Sequence, residues 1–326
     1  MYHAFQSEHV AKECLVDRYP RDSYTLATKL HSGFFNSLED RDKIFQQQCE
    51  KTGVSYFDYY LLHGIADDNV EKYEKFDCFN WLREKKKAGL VKKMGFSYHG
   101  TPELLDRLLT ENPDMEFCQL QINYLDWNSA GIRAKDCYDV ATKHKVPVVV
   151  MEPIKGGTLA NVPESVTELF KNYDPSMSLA SWAIRFVASL PNVMVVLSGM
   201  SSLEQMEDNL SYMEDFRPLS EEEIAMVMKA ADLINENIQI PCTGCSYCTE
   251  GCPMSIPIPT YFSLYNADFQ EVEGKSWLPQ QAYYGNLIQT KGAASECVGC
   301  GQCEAVCPQH LPFIEYMAKV AEHYGK

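Results

Sequence analysis

Cys242-Thr-Gly-Cys245-Ser-Tyr-Cys248-Thr-Glu-Gly-Cys252-Pro253 recurs further along as Cys297-Val-Gly-Cys300-Gly-Gln-Cys303-Glu-Ala-Val-Cys307-Pro308. Both runs share one spacing, C-x2-C-x2-C-x3-C-P. Three thiolates so close together can grip three corners of one iron–sulfur cube. The fourth, three residues on and followed by proline, points away and reaches the other cube. The pattern assigns Cys242, Cys245, Cys248 and Cys307 to one [4Fe–4S] cluster. Cys297, Cys300, Cys303 and Cys252 go to a second. Zinc sites pair two C-x2-C knuckles and do not use eight cysteines in two identical runs. A disulfide framework belongs to short secreted chains. This chain has 326 residues, and Met1 is followed by Tyr-His-Ala-Phe-Gln rather than a basic-then-apolar leader.

The segment 253–296 between the runs is too long for the compact hairpin of a tandem ferredoxin. It carries helix-like stretches near 260–268 and 280–290, and an amphipathic stretch at 312–324 closes the chain. These features predict a small, mainly α-helical two-cluster ferredoxin domain over residues 241–326. Just upstream, Pro218-Leu-Ser-Glu-Glu-Glu opens a helical stretch running to about residue 236. Ser220 and Glu223 form a capping-box pair there. That stretch, 216–240, reads as a connecting helix.

Residues 1–215 alternate strand-like and helix-like segments. The strands fall at 24–30, 56–63, 91–97, 117–124, 147–153 and 193–199. They are short apolar runs rich in Val, Tyr and Phe, as buried parallel strands are. Ser37-Leu-Glu-Asp and Thr101-Pro-Glu-Leu carry helix N-cap signals. Regular β-then-α alternation predicts an α/β fold with a parallel sheet and helices outside it. An open doubly wound sheet and a closed barrel share that pattern. The first strand is not followed by G-x-G-x-x-G, which speaks against the dinucleotide-binding doubly wound type.

Composition narrows the partners. A net charge of −16 argues against nucleic acid and anionic membranes. The longest apolar runs, 146–151 and 193–197, are far too short to span a bilayer. Thirteen cysteines imply a reducing cytoplasm, and cubane clusters favour a low-oxygen, anaerobic setting. Cys14, Cys49, Cys78, Cys118 and Cys137 are scattered and read as small buried hydrophobes.

Several strand ends match a known family. Ala27-Thr-Lys29-Leu, Tyr60-Leu-Leu-His63-Gly, Gly95-Phe-Ser97 and Leu197-Ser-Gly199-Met-Ser-Ser-Leu-Glu-Gln205-Met-Glu-Asp208-Asn209 resemble the aldo/keto reductases. With its cysteine-bearing tail, the chain resembles the branch of that family fused to a ferredoxin-type domain. The resemblance implies a TIM-type (β/α)8 barrel, whose active face lies at the strand C-terminal ends. It implies reduction of a small-molecule carbonyl by NAD(P)H. In that family a Tyr gives its proton to the carbonyl oxygen, a neighbouring Lys lowers the Tyr pKa, and a His positions the carbonyl. By match these roles fall on Tyr2, Lys29 and His63. Ser97 and Gln119 would hold the nicotinamide carboxamide. Gly199, Gln205, Asp208 and Asn209 would line the adenosine half. Lys155-Gly-Gly reads as the turn after the family's seventh strand.

Three departures from the family pattern matter. Six strand–helix units are present where the barrel needs eight, so its first two strands are expected to precede Tyr2. The reading frame is expected to start at an internal Met, or the chain to be a truncated relic, with a sheet edge on either side of the gap. Tyr98 follows Ser97 where many members have an amide, and Met151 stands where an aromatic often stacks on the ring. Finally, no Lys or Arg occurs between Phe186 and Phe216, while Glu204, Glu207 and Asp208 crowd the segment. A 2′-phosphate wants a cation, so NADH is favoured over NADPH.

The expected function is an iron–sulfur oxidoreductase whose two [4Fe–4S] clusters exchange electrons with a redox protein such as ferredoxin. Hydride carries two electrons and a cubane passes one, so direct coupling needs an intermediary such as a flavin. The alternative is an electron-transfer or partner-docking protein with a catalytically degenerate barrel.

Overall fold

All six expected strands form, as β1 (Ala27–His31), β2 (Phe57–Ile65), β3 (Val91–Tyr98), β4 (Phe117–Gln121), β5 (Val148–Met151) and β6 (Val193–Val196). The computed structural model describes residues 6–67, 69–129, 132–236, 238–242, 244, 246, 248–270, 279–307 and 311–325. The strands make one parallel sheet in sequential order, β1 to β6. Buried, β-branched and aromatic runs such as Phe57–Ile65 are what a sheet covered on both faces requires. Among the described residues β1 and β6 each pair with one strand only, giving the two expected edges. Met194, Val195 and Leu197 at β6 are about 40% exposed, as an edge leaves them.

The chain divides into two compact units. One comprises residues 1–122, 134–151 and 190–197; the other comprises 123–133, 152–189 and 198–326. The first unit contains the whole sheet. Its helices include α1 (Ser7–Ala11), α2 (Leu38–Thr52), α3 (Val70–Lys75), α4 (Cys78–Lys87), α5 (Pro102–Glu111) and α6 (Ala134–Lys143). The N-cap signals work as expected: Ser37 Oγ accepts the Asp40 amide, and Thr101 Oγ1 accepts the Leu104 amide. Phe45 of α2 packs edge-on against Phe57 of β2 and Trp81 of α4, with ring centroids 5.7 and 6.1 Å away. Gly95 has no room for a side chain, because a Cβ would sit 2.4 Å from the Phe117 carbonyl oxygen. That glycine lets β3 and β4 close up.

The second unit holds α7 (Glu164–Tyr173), α8 (Leu179–Ala188), α9 (Leu203–Met213) and α10 (Glu221–Asn235). The capping box of Ser220 and Glu223 forms at α10, and Glu223 also pairs with Arg185 of α8 at 3.0 Å. The cysteine-rich tail is helical, as expected, with α11 (Ile258–Gln270), α12 (Pro279–Leu287) and α13 (Phe313–Tyr324). Its core gathers Tyr261, Phe262, Tyr284, Phe313, Met317 and Val320 around Cys248 and Cys307. Tyr284 stacks on Tyr324 at 4.6 Å. Among the described residues no helix is long and apolar enough to cross a membrane.

Candidate active site and iron–sulfur site

Two buried tyrosines peg the ends of β1 and β2. Tyr60 Oη donates to Gln48 Oε1 at 2.7 Å, and Gln48 Nε2 donates to the Lys29 carbonyl at 2.8 Å. Tyr73 Oη donates to the His63 carbonyl at 2.6 Å and accepts the Ser32 amide at 2.9 Å. Lys29 and His63 thus rise from backbone that is fixed from below. His31 and His63 face each other in the strand register, and their rings meet edge-on at 5.0 Å. Gly64 takes a left-handed φ of +64° just after His63, a turn that glycine makes without strain. A cavity of about 490 Å3 runs along β1, lined among others by Lys29, His31, His63, Phe34 and Lys51.

Burial pushes the Lys29 ammonium from its usual 10.5 down to about 8. His63 falls from 6.5 to about 3, first through burial and then through the Lys29 charge and the neighbouring His31 and His99. It is therefore a neutral imidazole across the physiological range. His99, beyond β3, opens to solvent on one side. Its pKa is lowered first by burial and then by Lys29.

On the next strands Ser97 and Gln119 lie side by side in register, both buried. Ser97 Oγ accepts the Gly64 amide at 2.7 Å. Gln119 Nε2 lies 3.0 Å from Met151 Sδ, a weak acceptor. That buried donor would gain by meeting an amide carbonyl. Tyr98 turns elsewhere: it is buried, and its hydroxyl donates to the Thr101 carbonyl at 2.5 Å. It caps a loop and stands in for no amide.

The four residues expected along the adenosine are exposed or half-buried, and three of them already make side-chain hydrogen bonds. Gln205 Oε1 accepts the Ser201 amide at 2.7 Å, Asp208 accepts the Ser178 hydroxyl at 2.7 Å, and Asn209 Nδ2 donates to Ser198 Oγ at 3.1 Å. A Cβ on Gly199 would meet nothing within 4 Å, so sterics do not demand glycine there. Lys155 pairs with buried Asp126 at 2.5 Å, at a turn with left-handed Gly156 and Gly157. Tyr2 lies outside the described residues.

In the tail, Cys252, Cys297, Cys300 and Cys303 line a single small cavity of about 20 Å3. Each carries a free thiol. One cysteine of the first run has joined three of the second. Gly244, Ser246, Gly299 and Gly301 take left-handed φ within the two cysteine runs. Among the described residues no three His, Cys, Asp or Glu side chains close on a single-ion site. A cube of four irons and four sulfides needs thiolates grouped around it, and these four cysteines share one lining. Cys248 and Cys307, both buried, share the tail's core with half-buried Cys242. Cys245 lies outside the described residues. Of the scattered cysteines, Cys78, Cys118 and Cys137 are buried as expected. Cys14 is not: it sits exposed on the segment after α1, and Cys49 is half-buried.

Comparison with known proteins agrees with this division of labour. The aldo/keto reductase family model matches residues 1–232. The chain belongs to the aldo/keto reductase family. A 4Fe-4S dicluster domain model matches residues 241–311. An uncharacterized oxidoreductase, YqkF of Bacillus subtilis, is 22% identical over 258 residues, covering 69% of this chain and 78% of that protein. One component of an ion-translocating oxidoreductase complex from Buchnera aphidicola is 31% identical over 88 residues, 25% of this chain and 14% of that protein. Among solved structures, the holo form of aldo-keto reductase AKR11C1 from Bacillus halodurans superposes with a TM-score of 0.52 at 21% identity, covering 68% of this chain and 76% of that one. An aldo-keto reductase from Klebsiella pneumoniae in complex with NADPH gives 0.55 at 18% identity, covering 68% and 74%. Both likenesses establish the shared fold. The protein is an oxidoreductase of aldo/keto reductase type with an iron–sulfur tail.

Sequence reasoning missed His31 and His99. Neither lies in a recognised motif, and only strand register brings them to His63. It also missed Gln48, Tyr60 and Tyr73, whose polar tips are hidden in helices and strands that read as plain core.

Proposed function

We propose that the ends of β1 to β4 bind a carbonyl substrate and a nicotinamide cofactor, and that the tail binds two [4Fe–4S] clusters. The observation that carries the reductase reading is a half-buried Lys29, its pKa lowered to about 8, lining one cavity with a neutral His63. When bound, the nicotinamide supplies hydride to the carbonyl carbon. Neutral His63 donates a hydrogen bond to the carbonyl oxygen and orients it. Tyr2 transfers the proton to that oxygen, and the Lys29 charge favours its phenolate form. Ser97 and Gln119 hold the carboxamide, and Gly199, Gln205, Asp208 and Asn209 flank the adenosine. Without an added cation near Glu204, Glu207 and Asp208, NADH is the preferred cofactor. Residues 1–215, 216–240 and 241–326 act as barrel, connector and cluster domain.

The crossed set of Cys252, Cys297, Cys300 and Cys303 holds one cluster, and Cys242, Cys245, Cys248 and Cys307 hold the other. The clusters supply single-electron exchange with a redox protein such as ferredoxin in a reducing, low-oxygen cytoplasm. The likeness over 88 residues to one component of a larger oxidoreductase complex also favours a second reading, an electron-transfer protein docked to a partner. Carbonyl-dependent oxidation of NADH by the full chain separates the two. Turnover that is lost in Tyr2→Phe supports the reductase. Cluster reduction by ferredoxin, with no turnover of any carbonyl, supports the docking protein. A lower Kd for NADPH than for NADH would refute the cofactor preference.

A further inference from the structure

We infer that a second cavity, walled in part by Cys242, binds an uncharged quinone that exchanges electrons with the iron–sulfur cluster held there. The inference rests on the reading that Cys242 holds a cluster, and adds a ligand beside it. The cavity measures about 550 Å3, more than the one along β1, and lies in the usual range for a small-molecule site. Every residue that lines it belongs to the second unit. The loop after β4 forms one wall and α10 another; Cys242, Gly244 and Ser246 form a third with α11. Asn266 ties that third wall together. Its Oδ1 accepts the Ile240 amide at 2.9 Å and its Nδ2 donates to the Ile240 carbonyl at 2.7 Å, two residues before Cys242. Ser246 holds a left-handed φ of +63°, a costly conformation for a residue with a side chain, kept where the surroundings impose it.

The chemistry of the walls selects the ligand. Among the described residues of the lining, Lys155 is the only cation, and buried Asp126 pairs with it at 2.5 Å. Asn123 Nδ2 donates to Asp126 at 2.8 Å and fixes the pair. Exposed Asp232 brings a second carboxylate. Two carboxylates against one ammonium disfavour a phosphate or an acid. Leu125, Ile132, Met228 and Pro259 offer apolar contact to a flat ring. An ammonium has three N–H donors; Asp126 takes one, and a ring carbonyl can take another. Thr260 and Ser263 bring hydroxyl donors on α11 for a second carbonyl. A quinone has this form: flat, uncharged, with a carbonyl at each end. Cys242 on the same lining sets that ring beside a cluster ligand. A cubane passes one electron, whereas a quinone takes two in succession. Two reduced cubanes release one electron each. With two protons from water these convert one quinone to its hydroquinone, and both clusters return to the oxidised state.

Two anaerobic measurements on the cluster-loaded full chain test this. The first is equilibrium dialysis against 2,3-dimethyl-1,4-naphthoquinone, whose methyl groups block addition of thiols to the quinone ring. About one quinone should bind per chain. Ser263→Trp, at an exposed position of the α11 wall, should raise the Kd about tenfold or more with iron content unchanged. Thr260→Trp, exposed on the same wall, should do the same. Excess FMN, a flat carrier with a phosphate, should not displace the quinone. In the second, the chain is reduced with dithionite, desalted and mixed with the quinone. The visible absorbance of the oxidised clusters should return as about one quinone per chain becomes hydroquinone, and more slowly in Ser263→Trp. An iron-loaded chain that binds no quinone overturns the inference. So does displacement by FMN, an unchanged Kd in both Trp variants, or bound quinone that leaves the reduced clusters reduced. If the quinone binds to a chain that holds no iron, the cluster reading fails and the cavity stands as a binding site alone.

Discussion

Replacing Lys29 by Met is expected to make the folded protein more stable while abolishing carbonyl reduction. Burial lowers the Lys29 pKa from 10.5 to about 8. The drop corresponds to about 3 kcal/mol, at ~1.4 kcal/mol per pH unit, charged against the protonated folded state. Met fills the same channel and brings no charge. Lys29 also makes polar interactions that Met loses, so the expected net gain is about 1–3 kcal/mol. The pH dependence identifies the cause. The folded pKa lies below the unfolded one, so the penalty is complete below about pH 8. Between pH 8 and 10.5 the unfolded chain holds a proton that the folded chain has released, and wild-type stability rises relative to the variant. The gap therefore closes by about pH 10.5. Urea unfolding of both proteins at pH 7, 9 and 10.5, under anaerobic conditions, measures it. A variant less stable than wild type at pH 7, or a gap that ignores pH, refutes the reasoning.

Other outcomes follow from the same geometry. Carbonyl reduction at saturating NADH should decline as pH rises through about 8, where Lys29 loses its proton. It should show no break near 6.5, because His63 stays neutral down to about 3; a break at 6.5 in kcat would remove His63 from its assigned state. Tyr73→Phe orphans the buried Ser32 amide and frees the His63 carbonyl. It should cost about 1–3 kcal/mol in urea unfolding and lower kcat/KM several-fold, whereas unchanged kinetics would show that His63 needs no peg. Gly292→Ala places a Cβ 2.0 Å from the Met254 carbonyl oxygen, just past Cys252. Iron content per chain should fall, and retention of full iron would mean that this segment yields freely.

The sheet was legible because its strands are short, apolar and punctuated by caps that work locally. Ser37, Thr101 and the Ser220–Glu223 box each act within a few residues, and so does the cysteine spacing. Lys29 and His63 stood in recognisable words of sequence, and the structure places both on strands that line one cavity. What stayed hidden is set by contacts distant in sequence. Tyr73 reaches back 41 residues to Ser32, and His31 meets His63 only once β1 and β2 pair in register. Tyr98 looked like a failed amide, yet its hydroxyl serves a loop carbonyl. The adenosine-side residues matched by pattern, but Gln205 and Asn209 already bond their own loop, and Asp208 accepts from the Ser178 hydroxyl at the start of α8. Cys14 shows the limit of composition, since a cysteine's average tendency to be buried does not fix the exposure of one.

Iron and acid-labile sulfide, counted per polypeptide in brown, anaerobically purified protein, test the central claim most directly. Two cubanes held by crossed thiolates predict about eight of each per chain, falling to about four in Cys300→Ala. Colourless protein with one or two metal ions and no sulfide would contradict the account at its root.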